Sequence, residues 1–258
     1  MARIHPTALV DRTAELAEDV EVGAYSIIGA HVTMGAGSRI GPHVVIIGRT
    51  RFGARNRVFQ FASIGEIPQD RKYGGEPTTT TIGDDNVFRE FVTIHAGTAQ
   101  DRGDTAIGND NLFLAYTHVA HDCVVGNATI FSNNAQIAGH VKIDDWVVLG
   151  AYGGVHQFCR IGAHAMIGAG AKVFQDVPPF VTAAGDPARP HGTNTEGLRR
   201  RGFSPDDILA VRRAYKTLYR QGHSLEDARA MIAEVAEQSP ALHPLVEFLG
   251  VPGRGIIR

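Results

Sequence analysis

Ile28-Gly29-Ala30-His31-Val32-Thr33-Met34-Gly35-Ala36-Gly37-Ser38-Arg39-Ile40-Gly41-Pro42-His43-Val44-Val45-Ile46 decides the fold, because an aliphatic residue returns every sixth position with glycine after three of the four. Stepping back by six reaches Val22, Leu16, Val10 and Ile4; stepping forward reaches Phe52, Val58 and Ile64. After an interruption of eighteen residues the register resumes at Ile82, Phe88 and Ile94, then slips by one in a Gly/Asp-rich stretch. It continues from Ile107 through Phe113, Val119, Val125, Phe131, Ile137, Ile143, Leu149, Val155, Ile161 and Ile167 to Val173. Neither an amphipathic helix nor an alternating strand repeats strictly at six, so the unit is a short strand plus a turn. Such hexads build a parallel β-helix. Three sides of six residues close one coil in eighteen, which stacks residues eighteen apart at the ~4.8 Å spacing of neighbouring strands. Glycine after the core position, as at Gly83, Gly108, Gly126, Gly150, Gly162 and Gly168, is expected to permit the tight corner.

Two segments break the hexads, 66–81 and 95–106, and insertions of this kind loop out of one face of a solenoid, often its binding face. They are candidate walls of a site. Beyond Val173 the pattern ends at Asp176-Val177-Pro178-Pro179, and Gly185-Asp186-Pro187 with Arg189-Pro190 reads as a linker. The expected division is a repeat domain over 1–186 and a helical domain over 187–258. Ser204-Pro205-Asp206-Asp207 opens one helix, ending near Gly222; Ser224-Leu225-Glu226-Asp227 opens a second; a third is expected around Leu242 to Leu249. This tail is the basic part, with Arg199-Arg200-Arg201 its densest point.

The 258 residues are 43% hydrophobic, 7% aromatic and 20% charged with a formal charge of −2, a soluble globular balance that excludes a polycation for nucleic acid. The longest aliphatic run, Val44 to Ile47, falls far short of the roughly 18 residues of a membrane span. No secretory leader is visible, and Cys123 and Cys159 make no disulfide framework, so a cytosolic, reduced setting is expected.

Chemistry is sought where polar residues interrupt the scaffold. Eighteen-residue stacking puts His121, Gly139 and Gln157 in one column, Asp122 and His140 in the next, and Ala120, Ala138 and His156 in the one before. With His118, four histidines and a carboxylate crowd one corner over three coils. His121 is the candidate general base and Asp122 the acid that orients it, although neighbours in sequence need not pair. Gly139 has no side chain, leaving its N–H approachable as an oxyanion donor. His118, His140 and His156 fit substrate binding or ring support, and both cysteines read as small core residues. Two alternatives stay open: a zinc site of the carbonic-anhydrase-like β-helix type, and a non-catalytic scaffold.

The hexads, His118-Val119-Ala120-His121-Asp122-Cys123, Val155-His156-Gln157-Phe158-Cys159, Pro68-Gln69-Asp70-Arg71-Lys72-Tyr73 and Asn194-Thr195-Glu196-Gly197-Leu198-Arg199-Arg200-Arg201-Gly202 together resemble the UDP-N-acetylglucosamine O-acyltransferase family, over essentially the whole chain. Hexads alone are shared with other transferases and with carbonic anhydrases; the histidine motif with the Glu-Gly-Leu-Arg-Arg-Arg-Gly tail is specific. The resemblance implies a left-handed parallel β-helix followed by a small helical domain, a homotrimer with sites between subunits, and transfer of an (R)-3-hydroxyacyl chain from acyl carrier protein to the glucosamine 3-hydroxyl, the first step of lipid A biosynthesis. It implies His121 as base, Asp122 as its support and Gly139 as oxyanion donor. Sugar-nucleotide contacts fall to Gln69, Asp70, Lys72, His118, His140, Gln157, Asn194, Glu196 and Arg201, with His156 near the reacting groups. Arg199 and Arg200, with Arg212, Arg213 and Lys216, suit docking of an acidic carrier protein. Ala151 and Ala169 stand where long-chain members can have glycine, so a somewhat shorter acyl chain is expected. No cofactor is implied, because a thioester is already activated. Acceptance of a 3-amino sugar, giving an amide, remains an alternative, as does the N-acyltransferase of the same pathway, which typically carries an extra N-terminal domain.

Overall fold

In the computed structural model, which describes residues 2–258, the hexads wind into a left-handed β-helix with three parallel sheets as the faces of a triangular prism. Sheet A begins at Arg3–Ile4, sheet B at Leu9–Val10 and sheet C at Glu15–Leu16, and each later strand joins the sheet of the strand one coil earlier. Register follows the expected interval: Glu21 lies against Arg39, Ile27 against Val45 and Thr33 against Arg51. Every hexad residue except Ile4, Val10 and Leu16 at the open first coil is buried, and they form one continuous core. Within it the rings of Phe88, Phe113 and Phe131 are piled 5.1 and 4.7 Å apart.

The corners correct one expectation. The left-handed turn falls three residues after the core position, not one, and usually on a residue with a side chain, such as Asp122 (φ +58°), His140 (+64°) or Phe158 (+64°). The glycine directly after the core residue serves a different need. A Cβ on Gly35 would sit 2.6 Å from the Gly53 carbonyl carbon, and one on Gly108 2.6 Å from the Gly126 oxygen. These glycines let successive coils stack closely. A buried polar ladder lines one corner from inside: Asn86 donates to Asn56, Asn111 to Asn86 and Thr129 to Asn111, so these enclosed groups are satisfied.

The two insertions leave the prism at the same corner. Residues paired across the first are thirty apart, as Ser63 and Thr93, and across the second twenty-five, as Thr93 and His118, rather than eighteen. Both loops follow a strand of sheet B, so both overhang the corner between sheets B and C.

The linker expected at Gly185-Asp186-Pro187 is instead the turn of a hairpin: Val181–Ala184 extends sheet A and pairs antiparallel with Arg189–Thr193. Four helices follow: α1 (Thr195–Arg200), α2 (Pro205–Tyr219), α3 (Leu225–Ala236) and α4 (His243–Gly250). Sequence reading placed the last three and missed α1, whose single turn and a half is capped by Asn194. Ser204 and Asp207 close a reciprocal capping box on α2, and Ser224 caps α3. The helices share a core of Leu198, Val211, Leu218, Ile232, Leu242 and Leu245. The chain end returns to the prism, where Asp176, fully buried, binds the Arg160 guanidinium at 2.8 Å.

Candidate active site

The corner between sheets B and C gathers the polar residues that interrupt the hexads. His118 lies at a strand of sheet B, His121 and Asp122 at the turn that follows it, Gly139 and His140 one coil on, and Gln157 beyond them. His121 Nδ1 is 2.9 Å from Asp122 Oδ2, so the adjacent residues do pair. With Nδ1–H donating to the carboxylate, Nε2 is left as the basic nitrogen.

Asp122 is itself held rigidly. Its oxygens accept the Thr98 N–H at 2.9 and 3.1 Å and the Thr98 hydroxyl at 2.6 Å, and its own N–H donates to Thr105 Oγ1. Burial opposes its ionisation, but these bonds and the His121 contact prevail and keep the carboxyl below its ordinary range. It is an anion at neutral pH.

Gly139 is a glycine because His121 needs the space. A Cβ there would lie 2.5 Å from His121 Cε1 and 2.7 Å from Nε2. Its N–H has no hydrogen-bond acceptor among the described residues, so the imidazole lies over a backbone unit with a free donor.

The other histidines surround this pair. His140 Nδ1 is 2.6 Å from Asp101 Oδ2, its ring stacks on Phe158 at 4.3 Å, and it meets the His121 ring at right angles. His118 Nδ1 bonds Thr93 Oγ1 at 2.8 Å; burial, with His95 and His121 nearby, pushes its pKa down to about 4, so it is neutral. His156 faces Phe174, with Nδ1 3.2 Å from the Gln157 carbonyl. A groove of about 440 Å³ runs along sheet B from this corner, lined by Gln69, His118, His121, Gly139, His156 and Lys172 among others. Asp70 and Lys72 lie on the first inserted loop, where Asp70 accepts the Lys72 N–H.

The remaining expected residues lie elsewhere on the prism. Ala151 and Ala169 occupy the corner between sheets A and B and do not line this groove. Asn194, Glu196, Arg200 and Arg201 lie at the corner between sheets C and A. Asn194 donates to the His164 carbonyl, Glu196 pairs with Arg200 at 3.3 Å, and Arg201 lies over Trp146 and against His164. Burial, then Arg201, pushes the His164 pKa down to about 4.

Sequence reading missed His95, Thr98, Asp101, His164 and Trp146. His95 is 6% exposed, packs its ring edge-on to His118, and leaves Nδ1 without a partner. Thr98 and Asp101 sit in the second insertion, where eighteen-residue stacking no longer predicts neighbours. His164 and Trp146 follow the regular interval and could have been found as one column.

Neither cysteine is a nucleophile: both are fully buried, and burial pushes the Cys123 thiol up to about 12 and the Cys159 thiol to about 11. The ligand atoms of His121, Asp122 and His140 lie within 4.8 Å of one another, the one grouping among the described residues with metal-site geometry. Their chemistry fits zinc poorly. Both Asp122 oxygens already accept from Thr98, and Oδ2 faces His121 Nδ1 as well, so the one carboxylate of the group is committed to holding the loop and the ring.

A β-helix of hexapeptides carrying an acid-supported imidazole over a free amide, beside a long groove, has the makings of a hexapeptide-repeat acyltransferase. Comparison with known proteins agrees. Residues 13–48 match the bacterial transferase hexapeptide family, and residues 176–257 match the second domain of UDP-N-acetylglucosamine O-acyltransferase. Relatives named as acyl-carrier-protein-dependent UDP-N-acetylglucosamine O-acyltransferases include those of Thiobacillus denitrificans, 56% identical, and Janthinobacterium sp. (strain Marseille), 58% identical, each covering all of both chains. The solved structure of LpxA from Acinetobacter baumannii superposes with a TM-score of 0.96 at 46% identity over 99% of each chain. The chain belongs to the UDP-N-acetylglucosamine O-acyltransferase family and is an acyltransferase.

Proposed function

We propose that the protein moves an (R)-3-hydroxyacyl chain from acyl carrier protein to the 3-hydroxyl of UDP-N-acetylglucosamine, the opening step of lipid A synthesis, with the His121 corner as its catalytic centre. The observation that carries this reading is the His121–Asp122 pair set over Gly139 at the head of the groove. His121 Nε2 takes the proton of the sugar hydroxyl as its oxygen attacks the thioester carbonyl. The tetrahedral oxyanion is met by the Gly139 N–H, and collapse breaks the carbon–sulfur bond while the imidazolium returns its proton to the departing sulfur. Asp122 steadies the imidazolium between those steps.

The sugar nucleotide is read by Gln69, Asp70, Lys72, His118, His140 and Gln157 at this corner and by Asn194, Glu196 and Arg201 at another. One chain holds the two sets on different edges, which supports a homotrimer whose sites draw on two subunits. Ala151 and Ala169, on the third edge, would then meet the acyl tail from a neighbouring copy, their methyl groups shortening the accepted chain. Arg199 and Arg200 offer the acidic carrier protein a docking point. A cytoplasmic location fits these soluble substrates, and no helix of the described residues is long and apolar enough to cross a membrane.

Incubation with UDP-N-acetylglucosamine, its 3-amino analogue and a series of acyl-carrier-protein thioesters, read by product mass, tests the reading. The expected product is the 3-O-acyl sugar nucleotide. Exclusive use of the amino analogue would replace ester by amide chemistry, and no transfer to either acceptor would overturn the proposal. A preference for the longest donor that Ala169→Gly leaves unchanged would remove the acyl-pocket role.

A further inference from the structure

We infer that Asp101, carried by the second inserted loop, is a positioning residue that keeps His140 from competing for the Asp122 carboxylate; this deepens the reading of His121 as base and rests on it. His140 Nδ1 lies between two acids, 2.6 Å from Asp101 Oδ2 and 3.9 Å from Asp122 Oδ2. Asp122 is already engaged by both Thr98 donors and by His121. All three donors reach Oδ2, the oxygen that His140 faces, so a fourth donor there would have to displace one of them, and the bond to His121 Nδ1 is the one whose loss frees the catalytic ring.

The rest of the His140 environment cannot prevent this. Phe158 stacks on the ring face and His121 meets it at right angles, contacts that restrain its tilt but offer Nδ1 no acceptor. Of the charged groups that meet His140, Asp101 is the one not already committed to the catalytic pair. The same loop therefore anchors the site twice, through Thr98 on Asp122 and through Asp101 on His140. The Asp101 N–H returns to the Thr98 carbonyl, tying the two anchors into one turn. Asp101 is 44% exposed, so its removal leaves the folded core untouched.

A double-mutant cycle on the full-length protein tests the inference, with kcat and KM measured for Asp101→Ala, His140→Leu and the double variant. Asp101→Ala should lower kcat/KM about tenfold, the scale of one charge-assisted hydrogen bond, with part of the loss in kcat. In the His140→Leu background the same change should cost no more than about twofold, because the competitor has gone. Asp101→Glu should recover most of the activity. Imidazole nitrogen NMR of the unliganded protein gives a second readout, in which the His121 Nδ1–H signal of the parent should be perturbed by Asp101→Ala and restored in the double variant. Equal losses in both backgrounds would overturn the inference in favour of a general loop effect. So would an unchanged kcat/KM, or an unchanged His121 signal. Failure of the parent to transfer acyl groups would instead sink the functional reading, leaving the NMR measurement to judge Asp101.

Discussion

Gly139→Ala isolates the placement of the catalytic ring from every other property of the site. The substitution keeps the backbone N–H and adds one methyl group, 2.5 Å from His121 Cε1 and 2.7 Å from Nε2. Ordinary contact needs about 3.5 Å or more, so the ring must move by about 1 Å, a displacement that costs on the order of 100-fold in rate when it misplaces a reacting group. Gly139 does not adopt the left-handed backbone that would penalise alanine. Stability should therefore hold or rise slightly, by up to ~1 kcal/mol, through the lower entropy of the unfolded chain. The assay is kcat for acyl transfer beside the thermal midpoint of the same preparation. Activity within twofold of the parent would refute the claim that the imidazole works from directly above Gly139. A parallel fall in midpoint would show that the coil, not the ring, had yielded.

Asp122→Asn should lower kcat by about two to four powers of ten, since an amide cannot both accept from Thr98 and fix the His121 tautomer; steady-state kinetics on a variant of native circular dichroism checks this. The protein should lose stability progressively as pH falls from 6.5 to about 4. Buried His118 and His164 stay neutral in the folded state while the unfolded chain takes up their protons, so stability rises with pH through that window. Urea midpoints measured across it should show a shallower slope for His164→Gln. Asp176→Ala should cost ~3–5 kcal/mol by stranding the Arg160 guanidinium, read as a fall in the urea midpoint.

The prism was legible because its core demands one apolar side chain per face, and nothing else in a chain repeats at six. Stacking arithmetic then carried His121, Asp122, Gly139 and His140 to one edge, since every coil between Ile107 and Val173 has the same length. It failed where coil length changes. Thr98 and Asp101 reach the site from an insertion of seven residues, and no column counted from the hexads runs through them. The glycines were assigned the wrong duty because a tight corner and a close stack both call for a missing side chain. Only the backbone angles show that the corner turns two residues later, on Asp122 or His140. The hairpin Val181–Thr193 was hidden by its own turn, whose Gly-Asp-Pro reads equally well as a linker. Membership of the helical tail in the same family rested on the Glu-Gly-Leu-Arg-Arg-Arg-Gly stretch, and the match over residues 176–257 bears that resemblance out.

The account turns on the Nε2 of one imidazole, and the single-turnover rate of acyl transfer by His121→Ala, at saturating sugar nucleotide and thioester, tests it most directly. Loss of the general base should slow that step by about 10²–10⁴-fold with substrate binding largely retained. A rate within threefold of the parent would contradict it.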